Sequence, residues 1–183
     1  MNRVVEGHSF GNRLLLVDAR GGPPWAAPEM SRYASRRCLQ PPFAPEDVLF
    51  LSSAPGVDAA MRVFGADGAE GRLCGNGLLL AGLWMLNGDP EGRALRIDTP
   101  AGLASVWRRE GRMAAEFPPV RVDDRVREVG PPDLALRALV VEAGEPHLVL
   151  FLEDNPALGG ELSLVPLSTL GPSLRSHPAF PGG

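Results

Sequence analysis

The 183-residue chain is 44% hydrophobic and carries a formal net charge of −4. That balance describes a globular protein with a real core, and the scattered arginines, with no basic stripe interleaved with aromatics, exclude a typical nucleic-acid binder. The 18 basic residues are all arginine. Without lysine the chain cannot form the Schiff base of a pyridoxal-phosphate enzyme, nor a Walker-type phosphate loop.

Residues 4–6 and 14–18 read as two strands joined by a loop over 7–12. Residues 29–38 fit a surface helix, and 48–52 and 59–64 are short apolar strands. A turn over 65–71 leads to Cys74-Gly75-Asn76-Gly77, and the run 78–86 that follows has no polar side chain. Such a run predicts a helix inside the protein. Asn87-Gly88-Asp89-Pro90 stops it. Residues 95–99, 103–108 and 112–117 read as a three-strand meander, 118–132 as an irregular charged connection, 138–142 and 148–152 as two more strands, and 166–174 as a short helix. No regular alternation of strand and helix is evident, so the expected fold is α+β: an antiparallel, barrel-like sheet around a central apolar helix, in one domain over 1–183.

No apolar h-region follows Met1, no apolar run is long enough to span a bilayer, and two cysteines make no disulfide framework. The expectation is a cytoplasmic protein with no membrane or nucleic-acid partner. No cluster of His, Cys, Asp and Glu has metal-ligand spacing, so no metal is expected.

Cys74 is the leading candidate for chemistry. A thiol at a helix start meets unpaired N–H groups and the positive end of the helix dipole, so it is expected to lose its proton easily. The same N–H groups, at Gly75 and Asn76, can hold an anion. Cys38 lacks a glycine-rich approach and reads as an inert core thiol. His8 and His177 read as structural or surface groups.

The stretch Phe64-Gly65-Ala66-Asp67-Gly68-Ala69-Glu70, followed by Cys74-Gly75-Asn76-Gly77, resembles the signature of the diaminopimelate epimerase family. The segment 7–18, Thr99-Pro100-Ala101-Gly102, Gly144-Glu145-Pro146-His147, and Arg175-Ser176-His177-Pro178 with Phe180-Pro181 resemble further family segments in the same order. The resemblance covers nearly all of the chain but only the N-terminal half of the family's enzyme. It implies two similar domains, one cysteine from each, and an active site in the cleft between them; the second domain is absent from this chain. It also implies cofactor-independent inversion of an amino acid's α-carbon, on the route to lysine and peptidoglycan. One thiol would remove the α-proton and the other would deliver a proton to the opposite face.

On that resemblance Cys74 and His147 are the catalytic candidates, and Asn12, Gly75, Asn76, Gly65 and Glu145 the substrate-binding ones. The expected partners are a small amino-acid substrate and a second domain or chain carrying the other cysteine. Four departures stand out. Gly65 and Glu145 each replace a family asparagine, Arg13 replaces an aspartate, and 41–47 replaces a Gly-x-Gly-x-Asp stretch. They fall at the distal end of the pocket, so a substrate with a cationic or neutral distal group is expected in place of diaminopimelate. Two alternatives remain: a catalytically incomplete half-domain that binds an amino acid or a partner chain, and an isomerase of the phenazine-biosynthesis type, against which the retained Cys-Gly-Asn-Gly argues.

Overall fold

The computed structural model describes residues 2–89, 92–131 and 133–178. Sequence reading takes 1–183 as one domain; the chain packs as two compact units, Met1–Pro118 and Pro119–Gly183.

In the first unit, β1 (Arg3–Ser9) and β2 (Asn12–Asp18) form a hairpin that pairs Ser9 with Asn12. The expected 7–12 loop shrinks to Phe10-Gly11, both at positive φ (51° and 89°), as a two-residue turn that matches strand twist requires. Helix α1 (Ala27–Cys38) buries Met30, Ala34 and Cys38, spaced by four, against the sheet. Then come β3 (Asp47–Ser52), β4 (Ala59–Gly65), the short β5 (Glu70–Gly71), α2 (Gly75–Met85), β6 (Ala94–Thr99), β7 (Gly102–Arg109) and β8 (Arg112–Glu116).

The sheet runs β1-β2-β3-β4-β6-β7-β8, with β5 beside β4. Its wrapping around an apolar helix is as expected, but its strands are mixed and not all antiparallel. β2 and β3 are parallel, as are β4 and β6. The cause is two strand–helix–strand crossovers, one through α1 and one through α2, which return the chain in the same direction. The two helices cover opposite faces of the central strands. Leu14, Leu16, Leu49, Leu51, Met61 and Val63 pack with Leu78, Leu80 and Ala81 of α2. Leu15, Val17, Val48, Phe50 and Phe64 pack with Met30, Ala34 and Cys38 of α1. Burial on both faces explains why β2 and β3 read as continuous apolar runs.

The second unit holds β9 (Arg121–Val129), β10 (Leu136–Ala143), β11 (Glu145–Val149), three single 3-10 turns and α3 (Leu167–Arg175). The expected irregular connection over 118–132 is largely strand β9. Most of its charged residues stay exposed, Asp123 and Arg127 are half-buried, and its backbone pairs with β10 across a bulge. The expected separation between the last two strands also shrinks, to a turn at Gly144 (φ 83°), so Glu145 and His147 are strand residues. Val129, Leu136, Ala138, Leu158, Leu170 and Leu174 form the core. Buried Asn155 ties it by accepting from Arg137 N (2.7 Å) and donating to the Arg137 and Phe151 carbonyls. The expectations for Phe180 and Pro181 fall outside the described residues. No helix among the described residues is long and apolar enough to cross a membrane.

Candidate active site

The first unit brings Asn12, Gly65, Cys74, Gly75 and Asn76 to one end of the sheet, through the strand starts and ends of β2, β3 and β4. In register, Leu14 lies beside Asp47 and Asp47 faces Gly65. The loop after β4 is pinned from outside. Gly68 sits at φ 79°, its carbonyl accepts from Ser31 Oγ of α1 at 2.8 Å, and Asp67 Oδ1 accepts from Ala69 N at 2.9 Å. A side chain at Gly68 would lie 2.7 Å from both Ser31 Oγ and Ser35 Oγ, so only glycine lets the loop close onto α1.

Cys74 is the N-cap of α2. Its carbonyl accepts from Leu78 N at 2.9 Å, and its Sγ accepts from Gly77 N at 3.3 Å. The glycines around it serve packing. A Cβ at Gly77 would lie 2.7 Å from Leu49 Cδ2, and one at Gly75 would lie 2.9 Å from Phe117 Cζ. Asn76 Oδ1 accepts from Ser9 Oγ at 3.3 Å, which ties the helix start to the β1 end. An open groove of about 560 Å³ begins at Gly75 and Asn76 and is lined further by Leu79, Met113 and Phe117. Cys74 does not line it.

The surroundings of the Cys74 thiol push it up, the opposite direction to that expected from its place at the helix start. Burial pushes Cys74 up, and the negative charge of Asp47 pushes it further. The Gly77 and Asn76 amides pull the other way and are outweighed. A partly buried thiolate loses more hydration than two amides return.

Asp47 was missed by sequence reading, which saw it only as the end of a divergent segment. It is half-buried and pushed up, first by burial, then by Glu46 and Asp67, against a hydrogen bond donated by the Asn12 side chain. Asn12 Oδ1 is buried without a hydrogen-bond partner. Only strand register reveals that Asp47 sits opposite Gly65; no motif marks it.

Cys38 belongs to the other core. It is 7% exposed, its thiol donates to the Glu46 carbonyl at 3.6 Å, and burial pushes it up. The two thiols pack in cores on opposite faces of the sheet, so Cys38 is no second base for Cys74. Glu145 and His147 lie on β11 of the second unit, where His147 is exposed and pairs in register with Val141. Among the described residues no group of three or more His, Cys, Asp or Glu could hold a metal ion.

No protein-family model matches the chain. Curated relatives do. A diaminopimelate epimerase of Methylorubrum populi is 30% identical over 98% of this chain and 66% of its own length. One from Synechococcus elongatus is 33% identical over 95% of this chain and 65% of its length. The chain thus spans just under two thirds of the length of these relatives. Among solved structures, a hydroxyproline epimerase of Agrobacterium vitis with bound trans-4-hydroxy-L-proline shares the fold over 84% of this chain and 52% of its own (TM-score 0.63, 16% identity). A phenazine biosynthesis protein of Bacillus anthracis shares it over 81% of this chain and 53% of its own (TM-score 0.52, 21% identity). The fold, the Cys-Gly-Asn-Gly helix start and these relatives agree: the chain belongs to the diaminopimelate epimerase family and corresponds to the N-terminal part of its members.

Proposed function

We propose that this chain supplies one half of a cofactor-independent amino-acid epimerase or racemase site, with Cys74 as one of its two thiols. The observation that carries the reading is Cys74 itself, held by its own helix start in a chain whose relatives are named for epimerisation. Inversion needs a base on one face of the α-carbon and an acid on the other. Burial favours the neutral thiol at Cys74, and in the direction of reaction that begins with Cys74 protonated it acts as the acid. The complementary thiolate comes from a second domain or chain. It takes the α-proton, Cys74 delivers its own proton to the opposite face, and the two have then exchanged roles. The Gly75 and Asn76 amides bind the α-carboxylate and stabilise the charge that develops beside it. On the second unit, the family resemblance supports proton handling for His147 and recognition of a distal group for Glu145.

The substrate differs from diaminopimelate at its distal end. A Cβ at Gly65 would lie 3.2 Å from Asp67 Oδ1 and 3.8 Å from Asp47 Oδ1. The space left by the missing side chain is therefore edged by carboxylate oxygens, which repel a distal carboxylate.

Deuterium exchange at the α-carbon tests the reading. The chain alone is expected to show no sustained exchange, and a chain extended with the C-terminal part of a diaminopimelate epimerase is expected to show exchange that Cys74→Ala abolishes. Sustained turnover by the chain alone would overturn the two-domain arrangement. An extended chain that binds amino acids without exchange would favour the binding half-domain.

A further inference from the structure

Gly7 and Ser9 lie on the same face of β1, two residues apart, and Asn76 and Leu80 lie on the same side of α2, one turn apart. A Cβ at Gly7 would lie 2.6 Å from Leu80 Cδ1, so the missing side chain lets the strand approach the helix closely. One step further along both elements, Ser9 Oγ donates to Asn76 Oδ1 at 3.3 Å. One step in the other direction, Val5 and Trp84 line the same groove. The steps match, because two strand residues advance about 6.6 Å and four helix residues about 6 Å. Ser9 therefore meets Asn76 through the packing register of β1 on α2. Its own backbone is fixed as well, as the last residue of β1 paired with Asn12.

The two ends of an asparagine amide have the same shape and opposite chemistry, one an acceptor and the other a donor. Turned one way, Asn76 offers Nδ2 to an anion; turned the other way, it offers Oδ1, which repels one. Ser9 occupies Oδ1. Among the described residues Nδ2 has no hydrogen-bond partner, and Asn76 borders the open groove together with Gly75.

We propose that Ser9 is a positioning residue of the candidate site: its hydroxyl holds Asn76 Oδ1, so that Nδ2 is left as a further donor for the substrate's α-carboxylate beside the Gly75 and Asn76 backbone amides. A donor on Oδ1 also polarises the amide and strengthens the bond that Nδ2 gives. At 3.3 Å the hydroxyl bond is long, and hydrogen bonds of a catalytic site tighten once the ligand is bound. The inference rests on the reading of Asn76 as a substrate-binding residue, but the hold of Ser9 on the amide is measurable in this chain without catalysis.

The first test is NMR of the Asn76 side-chain amide in the full chain. The wild-type pair of amide signals is expected away from the positions of a freely turning asparagine. Ser9→Ala is expected to move it to those positions while the backbone amides of residues 75–78 stay in place, and Ser9→Thr, which keeps the hydroxyl, to retain the wild-type signals. A freely turning amide in the wild-type protein overturns the proposal even where Ser9→Ala does not fold; so do unchanged signals in folded Ser9→Ala, or a Ser9→Thr spectrum that matches Ser9→Ala. The second test is α-proton exchange in an extended enzyme. There Ser9→Ala is expected to raise KM about three- to tenfold with a smaller change in kcat, and Ser9→Thr to recover most of the loss. An unchanged KM in an active extended enzyme would overturn the substrate-binding role of Nδ2. An extended enzyme without any exchange would instead overturn the reading of the chain as half of an epimerase site, and leave the NMR result to decide the role of Ser9.

Discussion

The Gly77 amide donates to Cys74 Sγ at 3.3 Å, so the proposed acid–base thiol also closes the first turn of its own helix. Structural and chemical roles can therefore be separated by substitution. Cys74→Ala removes the cap and is expected to cost about 1 kcal/mol in denaturant unfolding. Cys74→Ser keeps a cap acceptor and is expected to stay close to wild type. Both should abolish α-proton exchange in an extended enzyme.

Burial raises both thiols. A group whose folded value lies above its unfolded one contributes stability below the unfolded value, ~8.5 for cysteine, and that stability is lost as pH rises through the folded value. The expected outcome is a falling unfolding midpoint above about pH 8.5, with Cys74 alkylation midpoints higher than for free cysteine. A Cys74 midpoint at or below ~8.5 would contradict the assignment of burial as the dominant effect.

Gly82 lets α2 approach the sheet. A Cβ there would lie 2.3 Å from Val106 Cγ1 and 2.8 Å from Met113 Cε. Val106 is fully buried and β-branched, so it cannot turn away. Gly82→Ala is expected to destabilise by about 1–3 kcal/mol despite its better helix propensity. Gly171 in α3 has nothing within 4 Å of a Cβ, and Gly171→Ala should instead stabilise by about 0.5–1 kcal/mol. Thermal unfolding of the two variants checks both signs.

Trp84 Nε1 donates to Asp18 Oδ2 at 2.9 Å, and the same carboxylate takes a bidentate pair from Arg20. The Arg20 guanidinium holds the Asp18 carboxyl well below the usual carboxylate range against the opposing effect of burial, and Trp84 adds to it. Asp18 contributes stability above its unfolded value, ~3.9, and loses it as pH falls toward the folded value. Trp84→Phe is expected to cost about 1–2 kcal/mol near neutral pH, since it leaves a partly buried oxygen short of a donor. In an Asp18→Asn background that cost should shrink, which a double-mutant cycle measures.

A panel of amino acids in deuterated water, run on an extended enzyme, tests the distal end of the pocket. Basic and neutral amino acids are expected to exchange their α-protons faster than diaminopimelate, by about tenfold or more for each 1.4 kcal/mol of unfavourable charge contact. Faster exchange of diaminopimelate would mean that other residues bind its distal carboxylate.

Local chemistry made much of this protein readable without coordinates. Helix α1 shows in the placing of Met30, Tyr33 and Ala34, helix α2 in an unbroken apolar run after Cys-Gly-Asn-Gly, and the meander β6–β8 in two glycine turns. The motif around Cys74 identified the candidate site because its parts are contiguous in the chain. Tertiary structure decided what depends on distant segments. β9 was hidden because its charged residues show no alternation, and only pairing with β10 makes it a strand. The parallel pairs follow from crossovers whose direction no local signal encodes. The direction of the Cys74 shift was also beyond local reading. A helix start favours the thiolate, but burial against Leu49 and the carboxylate of Asp47 favour the thiol, and both come from β3, more than 20 residues away in sequence. Electrostatics sums over everything nearby in space, whereas a motif records only what is nearby along the chain.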